Sequence, residues 1–154
     1  MSVIKIHRSQ TADSRSCDTG KVTKQQLIDS PKSHISDVKQ GMNFIAEVIQ
    51  NQAKLHDYDK ITEIDRFYFD FKNNFKTNDW YKDHVSINRH HLSKEEGVPD
   101  DVNLIDVLEY ITDCVMAGLA RTGKVYDITL DSETLQRAFL NTVRQLIDSI
   151  EVID

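Results

Sequence analysis

From Ser33 onward the chain carries Ile35, Val38, Met42, Ile45, Val48 and Ile49 at spacings of three and four, the row of one helical face. This predicts an amphipathic helix reaching about Leu55, with Pro31 just ahead of it at a helix start. A second helix is expected from Thr62, where Thr62 and Asp65 have capping-box-like spacing. It would direct Ile64, Phe67, Phe69 and Phe71 into the core or a substrate pocket and end near Asn73 and Asn74. Residues 78–92 read as partly helical and residues 91–101 as a loop. Asp100 and Asp101 suit a helix start, and Leu104, Ile105, Leu108, Ile111, Val115 and Leu119 sustain the period until Gly123 supplies a C-cap. Residues 124–130 alternate like a short strand, a hairpin partner for the VIKI of residues 3–6. A last helix follows from about Ser132, with Leu135, Phe139, Val143, Leu146 and Ile150 as its buried stripe. The prediction is an all-α helical bundle with a short N-terminal strand or hairpin. Residues 1–30 would form a partly flexible arm, poorly ordered over the first 20 or so, and residues 31–154 a single domain.

Composition narrows the function classes. With 154 residues, 5 Gly and 2 Pro, the chain can bury a core without disulfides or a structural metal. Cys17 and Cys114 lack CxxC spacing and read as free thiols. The formal charge is −6 and the Lys and Arg residues are scattered, which argues against binding duplex nucleic acid. No apolar run approaches the roughly 20 residues that span a bilayer, and the opening MSVIKIHRSQ turns polar too early for a secretion signal; a cytoplasmic protein with no membrane association is expected. A small anionic ligand stays compatible with the negative charge if bound divalent cations supply positive charge locally.

Chemistry concentrates in the histidines. Of the six, His34, His56, His84, His90 and His91 fall in the central part beside acidic neighbours, whereas His7 stands apart. His34 and His56 are 56 − 34 = 22 positions apart, which puts them on nearly one helical face. On a straight helix they would be roughly 33 Å apart, so sharing one metal requires the chain to break and fold back. In HDYDK (56–60) an imidazole adjoins a carboxylate able to bridge two divalent ions, with Lys60 in reach of a phosphate. Asp106, Glu109 and Asp113 share one side of their helix, open to a ligand role or to a solvated stripe. Phe67, Tyr68, Phe69, Trp80 and Tyr81 are candidates for stacking on a base or for the core.

The order HISDV (34–38), HDYDK (56–60), EIDRFYFDF (63–71), WYKDH (80–84), NRHH (88–91) and EYITD (109–113) resembles the HD superfamily of metal-dependent phosphohydrolases. It resembles most a compact HD-like family frequent in phages and bacteria. The likeness spans about 80 of the 154 residues. Tyr58-Asp59 replaces the usual small or apolar pair inside HDxxK, and there is no GYP motif, so cyclic-dinucleotide specificity is not implied. The resemblance implies a metal centre of His34, His56, Asp57, His84, His90, His91 and Asp113, with Asp113 preferred over Asp106 and Glu109. It further implies Asp57, Lys60 and Arg89 as catalytic residues, one or two divalent ions (Mn, Fe, Co, Ni, Mg or Zn), and a nucleotide or other small phosphoester as substrate. The competing expectation, of another class, is a helical regulatory protein, phage-encoded, that binds a metal or nucleotide without turnover. Homo-oligomerisation is open under both.

Overall fold

The computed structural model describes residues 3–7, 18–77, 79–93 and 97–153. Among these the regular structure is six helical segments and two four-residue strands, so the fold class is all-α with a short N-terminal strand. Two compact units are present, one of Met1–Val48 with Gln145–Asp154 and one of Ile49–Arg144.

In the first unit, β1 (Ile4–His7) pairs in parallel with β2 (Ile150–Ile153), Ile4 opposite Ile150. The expected hairpin with residues 124–130 is therefore corrected: that segment is irregular, and the alternating Ile-Glu-Val-Ile after the last helix supplies the partner. Helix α1 (Lys24–Leu55) starts nine residues before Ser33 and passes through the expected boundary at residue 30. Its start is set by a capping box: the Gln26 N–H donates to Thr23 Oγ1 at 3.2 Å, and the Thr23 N–H donates to Gln26 Oε1 at 2.9 Å. Pro31 thus lies inside the helix, where its missing N–H removes one bond without ending it. Ile35, Val38 and Met42 stay exposed; Phe44 is the buried residue of α1. The expected disorder of the first 20 residues and the free thiol at Cys17 fall largely or wholly on residues 8–17, outside the described residues.

The second unit holds the end of α1, then α2 (Asp59–Thr62), α3 (Ile64–Lys72), α4 (Asp79–Ile87), α5 (Leu104–Thr122) and most of α6 (Ser132–Asp148). Its apolar core is Leu92, Val102, Val107 and Ala138, with Val98, Leu104, Tyr110 and Leu130 packed on it. Helix α5 starts at Asn103, whose side chain accepts from the Asp106 N–H while the Asp106 carboxylate accepts from the Asn103 N–H. It ends, as the sequence predicts, on Gly123 in the left-handed conformation (φ 70°). The stripe expected to be buried on α6 is not: Leu135, Phe139 and Val143 are exposed. Thr134 and Ala138 face inward instead, and on that side Arg137 and Asn141 donate to the carbonyls of Pro99 and Val102 at 2.7 and 2.9 Å. The small Ala side chain lets α6 approach these loop carbonyls closely. On α3 Phe67 packs against Trp80, while Phe69 and Phe71 are exposed and Phe71 meets Phe75 edge-on. Asp70, buried, accepts from the Tyr81 N–H at 3.2 Å and from the Thr77 hydroxyl, which fixes the turn into α4. Cys114 is a free thiol, as expected. Among the described residues no helix is long and apolar enough to cross a membrane.

Candidate metal centre

The site lies wholly in the second unit and is organised around one strained residue. Helix α1 ends at Leu55, and two residues later Asp57 adopts φ 54°, a left-handed conformation that L side chains adopt at a cost of order 1 kcal/mol or more. Asn88 holds it there. Its Oδ1 accepts the Asp57 N–H at 3.0 Å, while its Nδ2 donates to Asp59 Oδ1 at 2.9 Å and to the His84 carbonyl at 3.0 Å. The turn aims the Asp57 carboxylate inward, among four imidazoles.

Three of those imidazoles face a carboxylate through Nδ1, and two are hydrogen-bonded to it. His84 Nδ1 lies 2.8 Å from Asp59 Oδ2, both nearly sealed from water. His56 Nδ1 lies 2.8 Å from Glu109 Oε1, and His90 Nδ1 lies 3.2 Å from the same oxygen, an ion-pair distance without hydrogen-bond alignment. A carboxylate can only accept, so the proton of neutral His56 and His84 belongs on Nδ1 and the Nε2 lone pair is left facing the centre. Those Nε2 atoms converge on Asp57: His84 at 3.5 Å and His90 at 3.7 Å from Oδ1, His56 at 3.7 Å from Oδ2. His91 Nε2 lies 3.0 Å from His84 Nε2, and Asp113 Oδ1 is 3.6 Å from His56 Nε2. Ligand atoms about 2.1 Å from one ion stand roughly 3.0 to 3.4 Å apart, and these separations are close to that. Asp57 Oδ1 is buried and accepts no hydrogen bond. An orphaned carboxylate oxygen ringed by imidazole nitrogens is a poor arrangement for a metal-free core and a fitting one for a cation.

Two adjacent donor groups with no residue in common could each hold a metal ion among the described residues: His56, His90 and Glu109, and Asp57, His84 and His91. In the first, the 2.8 Å approach of Glu109 to His56 Nδ1 is a hydrogen bond, which suits Glu109 better as the residue that orients His56 and His90 than as a ligand beside them. Burial alone would raise the Glu109 carboxyl, but His90, Gln52 and His56 outweigh it and hold it below its ordinary value. Burial likewise works against charge on His90, yet Glu109, Asp57 and Asp113 raise it above its ordinary value; Asp57 is held low, against its burial, by Lys60, His56 and His84.

The expected site residues separate clearly. His56, Asp57, His84, His90 and His91 are brought together, with Asp113 at the edge. His34 is not: α1 runs uninterrupted through it to Leu55, so the required break is missing, and His34 is an exposed residue of the first unit, in neither donor group. Lys60 Nζ contacts Asp57 Oδ2 beside the centre. Arg89 is engaged away from the donor groups: its Nε and Nη2 donate to Asp106 at 2.9 and 2.8 Å, and its Nη1 and Nη2 to the Asp101 carboxylate and carbonyl at 3.0 and 3.1 Å. Asp106, fully buried, also accepts from Gln52 and the Asn103 N–H, and four bonds leave it no place in a ligand shell. Trp80 stacks on His84 at 4.6 Å and backs the site as core, not as a base platform.

Sequence reasoning missed Asp59, Asn88 and Gln52. Asp59 and Asn88 lie inside HDYDK and NRHH, where they read as spacers; the signal was a carboxylate and an amide adjacent to candidate ligands. Compared with known protein families, curated proteins and solved structures, the chain matches none of them.

Proposed function

We propose that the protein is a metal-dependent phosphohydrolase acting on a small phosphoester, of the HD type its motifs resemble, in the cytoplasm. The observation that carries this reading is the buried, unpartnered Asp57 Oδ1 with His84 and His90 Nε2 turned toward it. Divalent ions held by His56, Asp57, His84, His90, His91 and Asp113 would lower the pKa of a bound water toward neutrality and polarise the phosphoryl group. The chain's own contribution is orientation: Glu109 and Asp59 fix the imidazoles, and Asn88 fixes the Asp57 turn. Lys60, which contacts Asp57 Oδ2 beside the centre, would be the ammonium nearest a phosphate oxygen there. Neither of the mixed N/O donor groups selects sharply among Mn, Fe, Co, Ni, Mg and Zn.

The test is elemental analysis of protein purified without chelator, followed by a phosphate-release screen over nucleotides and simple phosphoesters with added Mn. One to two equivalents of metal, lost in Asp57→Ala and retained in His34→Ala, with phosphate release that the Asp57 variant lacks, is the expected result. Metal content without turnover of any phosphoester favours the regulatory reading.

A further inference from the structure

Beside the His56 end of the centre, the last turns of α1 and the middle of α5 enclose a cleft of about 350 Å³. His56, Glu109 and Asp113 lie at its polar end, and the walls are Ile49, Ala53, Leu108 and Met116 with Ile105 behind them. The donors of its two remaining polar residues are taken. Gln52 Nε2 donates to Asp106 at 2.9 Å and to Glu109 at 2.6 Å, and the Thr112 hydroxyl donates to the Leu108 carbonyl at 2.7 Å. Among the described residues no Lys or Arg lines it.

From this we infer that the cleft receives the organic part of the substrate and that this part is apolar and uncharged, an aryl or short branched alkyl group. The inference rests on the phosphohydrolase reading and narrows it: a phosphoester of an apolar alcohol is preferred over a nucleotide or sugar phosphate. A base edge or sugar hydroxyls placed against these walls would leave water without a partner, which costs far more than a missing methylene. Size agrees, since a dry cavity of roughly 150 Å³ already takes benzene. In the reaction the water oxygen bonds to phosphorus, the P–O bond to the organic group breaks, and that oxygen leaves with one proton of the water as a neutral alcohol. The anionic phosphate stays at the His56 and Asp57 end while the alcohol faces the apolar walls.

The test uses phosphonates, which bind without turnover. Calorimetry on the Mn-loaded protein would compare methylphosphonate, phenylphosphonate and the phosphonate analogue of adenosine 5′-monophosphate. Phenylphosphonate is expected to bind at least about tenfold more tightly than either of the others. Leu108→Glu and Met116→Glu, at exposed wall positions, should remove that preference with Mn content unchanged. Equal binding of the phenyl and methyl compounds, tighter binding of the nucleotide analogue, or a preference that survives both variants overturns the inference and leaves the metal centre standing. Failure to bind Mn at all overturns the phosphohydrolase reading, and the inference with it.

Discussion

Replacing Asp106 with Ala separates an anchor from a ligand. Asp106 has no exposed surface, and its carboxylate accepts four hydrogen bonds: Arg89 Nε at 2.9 Å and Nη2 at 2.8 Å, Gln52 Nε2 at 2.9 Å and the Asn103 N–H at 2.9 Å. Removing one partner of a buried ion pair costs about 3 to 5 kcal/mol, because the other charge is left behind. Arg89 is 31% exposed and still holds Asp101, so water can rescue it in part and the lower end applies. Loss of the capping box adds about 1 kcal/mol, for a total near 3 to 4 kcal/mol. In urea, monitored by helical circular dichroism, that is a drop in midpoint of about 2 M at a slope of about 2 kcal/mol/M. The reverse change, Arg89→Met, should cost more, since Asp106 has no route to water. The double variant Arg89→Met with Asp106→Leu should recover most of the loss. Metal content should stay at the wild-type level in Asp106→Ala. A loss under about 1 kcal/mol accompanied by loss of metal would refute the assignment and make Asp106 a ligand.

Other expectations follow from the same geometry. Asp59→Asn keeps the bulk and, with its oxygen toward Asn88, puts an NH2 donor in place of the acceptor on His84 Nδ1, so metal affinity should fall roughly 10- to 100-fold while Asp57→Ala abolishes it. Trp80, the single tryptophan, stacks on His84 and makes its fluorescence the natural readout of that titration. In the metal-free protein, His90 is raised above 6.5, so its contribution is full below about pH 6.5 and is lost as pH rises through the folded value. Glu109 is lowered below 4.5, so its contribution is present above pH 4.5 and lost on acidification. Thermal stability of the metal-free protein should therefore peak between about pH 4.5 and 6.5; a monotonic rise to pH 8 would contradict the Glu109 to His90 contact. Gly118→Ala would place a Cβ 2.7 Å from the Lys124 carbonyl oxygen, and calorimetric unfolding should show a loss of about 1 to 3 kcal/mol.

What the sequence disclosed, and what it hid, has a physical pattern. Helix α5 was legible from its start region to Gly123 because periodicity and capping agree there. The α6 stripe misled because amphipathic period reports which residues share a face, not which face the unit covers; Ala138, too small to register as a core signal, marks the buried side. The start of α1 at the Thr23 to Gln26 capping box was not legible because Pro31, expected at a helix start, lies inside the helix. At the centre, adjacent motif letters such as His56-Asp57 and His90-His91 could be placed because turns keep neighbours near each other. The membership of His34 depended on a break in α1, and α1 runs unbroken from Lys24 to Leu55. Arg89 could not be assigned from its position in NRHH, because its partners Asp101 and Asp106 lie 12 and 17 residues on.

The charge balance of the centre bears on what it can hold. Arg89, Asp101 and Asp106 pair with one another outside the donor groups and add a formal +1 − 2 = −1 of their own. Around the imidazoles remain Asp57, Asp59, Glu109 and Asp113 against Lys60, a formal −4 + 1 = −3 with neutral histidines. Such a site repels a phosphate and gains from divalent cations, and two of them would bring it to −3 + 4 = +1. Anion binding at this position in a chain of net charge −6 therefore has to follow cation binding. The ordering is measurable: inorganic phosphate should show no calorimetric binding to chelator-treated protein and should bind after two equivalents of Mn are added. Phosphate affinity that is equal in both states would mean that the cationic character comes from elsewhere, and would remove the electrostatic argument for a dinuclear centre.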